Sequence, residues 1–296
     1  MEQEVEQVEG KDRKGKRILY ICDNLSFPNL EFNKILANIL TENYHKVDML
    51  VYTGTWQETV KLGNLKIIYI PINKELWKNF QVEMYFSIGI YRELMTHQKK
   101  ILDRLQKNKY DIGIAEFNVT AGAFAVFEAL GIEETFNVFS SVFPPEYLQF
   151  LDINVLEYQV PAFAAAKPGE WDRDEKWDKC EADNKNEHEV SNNRVQELLT
   201  TTSQNFYNSL FDDYEISIKK PSTLDVLFKK IKYHFINQHP LIKFNNFPDH
   251  EKIVYIGGIT VEYNELSIEE KNEVNDEVGK LIFKIYIRKL IKNYIY

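Results

Sequence analysis

Glu116 is the residue whose position in this chain most suggests chemistry. It ends the apolar run Asp111–Ala115, and a short turn, Phe117–Thr120, then leads into an apolar helix, Ala121–Leu130, with Gly131 where a glycine cap belongs. Ligands of open α/β sheets bind just beyond the carboxyl ends of the strands. A carboxylate there could orient or charge-stabilise a base, or bind a substrate hydroxyl. The competing structural role is an acid that simply favours the positive N-terminus of the following helix. Six histidines are candidate bases: His45, His97, His188, His234, His239 and His250. None shows a metal-ligand spacing, and each reads as structural. The loop Asp23–Asn29 contains no glycine, which argues against a dinucleotide pyrophosphate on the first turn. A P-loop and a Gly-x-Ser-x-Gly elbow are also missing from the sequence.

The elements that must position Glu116 follow from hydrophobic patterning. Arg17–Cys22, Val47–Tyr52 and Leu65–Ile70 are short apolar runs without alternation, as strands buried on both faces require. An amphipathic helix carrying Leu30, Ile35, Leu36, Ile39 and Leu40 separates the first two. Phe80–Lys107 keeps helical spacing from Phe86 to Leu105 and is expected to be one long helix. Thr135–Phe139, Tyr233–Asn237 and Ile253–Ile256 are further strands, with helices over Arg194–Leu210 and Thr223–Lys230. Pro144–Pro161 reads as a loop region. The alternation predicts an α/β fold, a Rossmann-like, doubly wound, mostly parallel sheet.

The chain has 296 residues, 44% of them hydrophobic, enough to bury a sizeable core. Its net charge of −9 leaves no dispersed basic face for nucleic acid. Two cysteines, Cys22 and Cys180, make neither a disulfide framework nor a zinc site. Residues 1–16 are charged and expected to be disordered, without the apolar core of a secretory signal. Residues 167–193 are dense in Asp, Glu, Lys and Asn and read as a solvated, disordered insertion, the alternative being a charged helix surface. Residues 260–296 read as a divergent helical tail, acidic and then basic. No run of about 18 apolar residues suggests a membrane span.

Four stretches together resemble the N-terminal half of the family-1 UDP-glycosyltransferases, and the UDP-glucuronosyltransferases of nematodes in particular. They are Arg17–Tyr52, Tyr110–Ile132 (YDIGIAEFNVTAGAFAVFEALGI), Phe139–Ser141 with LDINVLEYQVPAF, and Phe235–Ile259 (FINQHPLIKFNNFPDHEKIVYIGGI). The resemblance implies that residues 17–259 form the acceptor-binding domain of a two-domain GT-B fold. It also implies an inverting, metal-free transfer of sugar from a UDP-sugar such as UDP-glucuronate to a small lipophilic acceptor. In that family a histidine takes the acceptor's proton and an acid orients it. The acid falls on Glu116, whereas Asn29 stands where the histidine is expected, and an amide cannot accept that proton. Phe27, Phe117 and Ser140 are the expected acceptor-binding residues. The resemblance fades after Ile259, before any donor-domain signature. The expectation is therefore a chain inactive alone, or a binding or regulatory module that pairs with a full-length UDP-glycosyltransferase. The family resemblance implies an endoplasmic reticulum membrane setting; the sequence read as complete implies a cytoplasmic one.

Overall fold

The computed structural model describes residues 15–53, 65–72, 83–162, 174–239, 243, 246–259 and 294–295. Seven strands form one parallel sheet: β1 Arg17–Asp23, β2 Lys46–Thr53, β3 Lys66–Pro71, β4 Ile112–Ala115, β5 Glu134–Phe139, β6 Tyr233–Ile236 and β7 Ile253–Tyr255. Their order across the sheet is β3-β2-β1-β4-β5-β6-β7. Every pairing is parallel, with Ile21 opposite Leu50 on one side and Ala115 on the other. β1 is buried along its whole length after Arg17, as a central strand must be. The edge strand β3 alternates between buried and exposed.

Helices cover both faces, so the expected doubly wound architecture is present. α1, Phe27–Glu42, packs Phe32, Ile35, Leu36 and Ile39 against Ile18, Tyr20 and Cys22 of β1. The other face receives α2 Glu83–Thr96, α3 Lys99–Asn108, a one-turn α4 Phe117–Thr120, α5 Gly122–Ala129 and α8 Leu224–Lys230. Between β5 and α8 run two 3-10 turns, Pro145–Leu151 and Val155–Glu157, then α6 Asp174–Glu197, a π-helical turn Leu198–Thr202 and α7 Ser203–Asp213. The loop region expected over Pro144–Pro161 is thus partly helical.

Three further expectations are corrected. The helix expected to run unbroken to Lys107 is two helices. At the break, the His97 and Gln98 N–H groups both bond to the Glu93 carbonyl, at 3.0 and 2.9 Å, and Thr96 Oγ1 donates to the Arg92 carbonyl. Leu94 and Ile101 lie seven residues apart, so the apolar pattern stays in phase across the break and hides it. Next, the loop read as Asp23–Asn29 ends at Ser26. Pro28, with its fixed φ, suits the first helical turn, and the Leu30 N–H already bonds the Ser26 carbonyl at 3.0 Å. Finally, the stretch 167–193, read as disordered with a charged helix surface as the alternative, is helical from Asp174 onward, where the alternative holds. Within it, buried Asn184 donates to the Val160 carbonyl and accepts from the Ala162 N–H, while His188 Nε2 lies 2.8 Å from the same Val160 carbonyl. Such polar anchors carry no hydrophobic signal, so composition alone misjudges this segment. Residues 1–14 and nearly all of 260–296 lie outside the described residues.

Candidate functional site

The strand order reverses between β1 and β4, so the crevice above their carboxyl ends is the topological switch point of the sheet. Two acids flank it. Asp23 is the last residue of β1, and Glu116 directly follows β4; they are 3% and 4% exposed. Glu116 Oε1 accepts from Ser140 Oγ at 3.0 Å and from the Ser140 N–H at 3.3 Å, while Oε2 has no hydrogen-bond partner among the described residues. Burial, relieved in part by the Ser140 hydrogen bonds and reinforced by the Asp23 charge, raises the Glu116 carboxyl to about 7. Asp23 is also raised by burial, against the hydrogen bond that its Oδ1 accepts from the Leu25 N–H at 2.8 Å. Such a pair can hold or release a proton near neutrality and can accept a hydrogen bond from a hydroxyl placed between the strand ends.

The backbone after Glu116 is fixed from below. Asn137 of β5 is fully buried, and its Oδ1 accepts from the Phe117 N–H at 2.8 Å. Its Nδ2 therefore faces His234 Nδ1 of β6, 3.0 Å away, which makes that nitrogen the acceptor and puts the ring proton on Nε2. Burial, with the charges of Lys252 and His250, lowers His234 to about 3, so the ring is neutral. Phe139, Phe143 and Phe228 surround it. His234 thus belongs to the support of the site and is not a base within it, in line with the structural role the sequence suggests.

The structure joins Glu116 and Ser140, two of the sequence-derived candidates. Phe117 is 1% exposed and packs against Phe124, Tyr147 and Phe228, so it serves the aromatic core under the crevice. Phe27, 63% exposed, and half-buried Asn29 occupy the first turn of α1. The Asn29 carbonyl accepts from Asn33 Nδ2 at 2.7 Å, and Asn33 Oδ1 in turn accepts from the Tyr20 hydroxyl at the same distance. Asp23 and Asn137 were missed by the sequence reading. The signal for Asp23 was present, since it too is an acid at the carboxyl end of a buried strand. Asn137, a polar residue inside the run Thr135–Phe139, gave only the hint of a buried amide needing partners.

Among the described residues no group of three or more His, Cys, Asp and Glu is placed to hold a metal, and no helix is long and apolar enough to cross a membrane. The class that fold and site define is an α/β domain with a paired-acid crevice at its switch point. No family model and no curated protein matches the chain. Similar solved structures include the spinosyn forosaminyltransferase SpnP, with 12% identity and a TM-score of 0.44 over 82% of this chain and 50% of that one. Another is UGT2 of Phytolacca americana in complex with UDP-2-fluoroglucose and pterostilbene, with 12% identity and a TM-score of 0.42 over 82% of this chain and 54% of that one. A UDP-glucosyltransferase from Polygonum tinctorium gives 10% identity and a TM-score of 0.43 over 83% and 53%. The chain spans about half the length of these structures.

Proposed function

We propose that residues 17–259 are the acceptor-binding half of a sugar transferase of the UDP-glucuronosyltransferase type, with a GT-B domain plan. The ligand is a small lipophilic molecule bearing a hydroxyl, held above β1 and β4. The observation that carries this reading is Glu116: a buried carboxyl at the switch point, fixed through Oε1 by Ser140, with Oε2 unpartnered among the described residues. The acceptor hydroxyl donates to that oxygen, while Phe27 and the apolar start of α1 cover its body. In the transfer itself the hydroxyl oxygen bonds to the anomeric carbon, the bond to UDP breaks, and a base takes the hydroxyl proton. Asn29 offers no such base, and no histidine occurs between Arg17 and Tyr44. On this reading Glu116 and Asp23 hold the hydroxyl without taking its proton, so that the chain by itself binds acceptor without turning it over, and any UDP-sugar is bound by residues other than those of this crevice.

Two measurements on the purified chain test this. Calorimetric titration with naphthol should saturate for the wild type and weaken about tenfold in Glu116→Ala, the size expected for losing a hydrogen bond to a charged group. A flat titration of the wild type would remove the acceptor site. UDP release with UDP-glucuronate and a panel of phenols should not exceed a boiled control; turnover would show that Glu116 or Asp23 replaces the base. Asn29 also favours a regulatory module that pairs with a full-length relative, for which co-purification with such a relative is the test.

A further inference from the structure

A cavity of about 580 Å³ opens where α6 packs on the two 3-10 turns that follow β5, a size within the range of small-molecule sites. The turns bring Gln149, Asp152, Ile153 and Leu156 to it, and α6 brings Glu189 and Asn193. Helix α6 is fixed at this place by one stripe of residues. Asn184 and His188 reach the Val160 carbonyl, and one turn further the Asn192 carbonyl accepts from Gln149 Nε2 at 3.1 Å. Residues four apart share a helix face, so Glu189 and Asn193, each one position on, stand beside the stripe that faces the turns.

The lining is rich in acceptors and poor in donors. Its two charged members, Asp152 and Glu189, are both carboxylates and both exposed, and no lysine or arginine lines the cavity. Among the described residues neither carboxylate forms an ion pair or a hydrogen bond, and Lys185, one turn before Glu189, is engaged by Glu181. The amide donors are spent within the fold. Gln149 Nε2 gives its second hydrogen to the Glu146 carbonyl at 2.8 Å, which leaves its Oε1 as the group on offer. Asn154 Nδ2 donates to Glu157 Oε1 at 3.1 Å, while its Oδ1 accepts from the Leu156 N–H at the same distance. Two carboxylates open to solvent and a spare carbonyl oxygen suit an ammonium group, which carries three donors and no acceptor. The volume far exceeds that of an ion, and half-buried Ile153 and Leu156 offer apolar surface to a carbon body.

We infer that this cavity binds a small organic amine in its protonated form, the ammonium towards Asp152 and Glu189 and the apolar body against Ile153 and Leu156. Exposed ion pairs are individually weak and are screened by salt, so the binding is modest and salt-sensitive. The site shares no residue with the crevice at Asp23 and Glu116 and does not depend on the function proposed for it.

Calorimetric titration of the full chain at neutral pH and low salt with phenylbutylamine, phenylbutanol and phenylbutyrate tests the assignment. The amine should bind most tightly and the acid least. Replacing both carboxylates, Asp152→Asn with Glu189→Gln, should weaken the amine about tenfold and leave the alcohol unchanged. Asn193→Lys, which sets a cation in the cavity from an exposed helical position, should abolish amine binding. Glu116→Gln should leave it unchanged, which separates this cavity from the crevice. Thermal unfolding of each variant checks the fold. Absence of amine binding to the wild type, alcohol or acid binding as tightly as the amine, unchanged affinity in the double variant or in Asn193→Lys, or loss of binding in Glu116→Gln would each overturn the proposal. Should the double variant not fold, Asn193→Lys and the comparison of amine with alcohol decide it.

Discussion

Glu116 is held in a protonation state that folding itself sets. A carboxyl raised from 4.5 to about 7 binds its proton more tightly in the folded than in the unfolded chain. Its contribution to stability is therefore present below 4.5 and is lost as the pH rises to about 7. The full effect is on the order of 3 kcal/mol, and Asp23, raised in the same direction, adds to it. Glu116→Gln keeps an acceptor for Ser140 and cannot ionise. It should be more stable than the wild type by about 2–3 kcal/mol above neutrality, with a flatter pH profile in urea unfolding. Parallel profiles for the two proteins would mean that the carboxyl is not buried as described. Asn137 makes a second prediction at this scale. Asn137→Ala leaves the Phe117 N–H and His234 Nδ1 buried without partners, and a loss of about 2–4 kcal/mol should appear in the urea midpoint. Naphthol binding should weaken with it, because the backbone that follows Glu116 is no longer fixed.

At the scale of elements, α5 and α2 meet in close backbone contact. A Cβ on Gly122 would lie 2.8 Å from the Ile88 Cα and carbonyl oxygen, so the two helix backbones touch where Gly122 stands. Gly122→Val should push α5 outward and cost about 1–3 kcal/mol in thermal or chemical unfolding. An unchanged midpoint would show that the helices can separate without loss. Gly131 ends the same segment with φ of 72°, a conformation that glycine adopts at no steric cost. Both glycines are visible in the sequence, but only Gly131 announces its purpose there: a glycine after an apolar helix reads as a cap, whereas close approach to a distant helix leaves no local mark. The break between α2 and α3 was hidden for the opposite reason, because a local hydrogen-bond choice at Glu93 left the long-range apolar phase intact.

For the molecule as a whole, the order of strands decides where chemistry can occur. Alternating buried strands and helices are legible in the sequence because a parallel sheet covered on both faces demands continuous apolar runs. Glu116 was legible for a related reason: an acid that abruptly ends such a run stands out. The sequence therefore determined the fold class and the acid most worth attention. Only the tertiary structure could put β4 beside β1, which brings Asp23, 93 residues before Glu116, to the opposite lip of one crevice. It alone decided that Ser140 grips Glu116, that Asn137 and His234 form the support beneath, and that Asp152 and Glu189 line one cavity. The physical reason is the same in each case. Hydrophobic periodicity is a property of neighbours along the chain, whereas the pairing and shared burial of polar groups are fixed only when distant segments meet, and their cost in isolation is what makes those meetings specific.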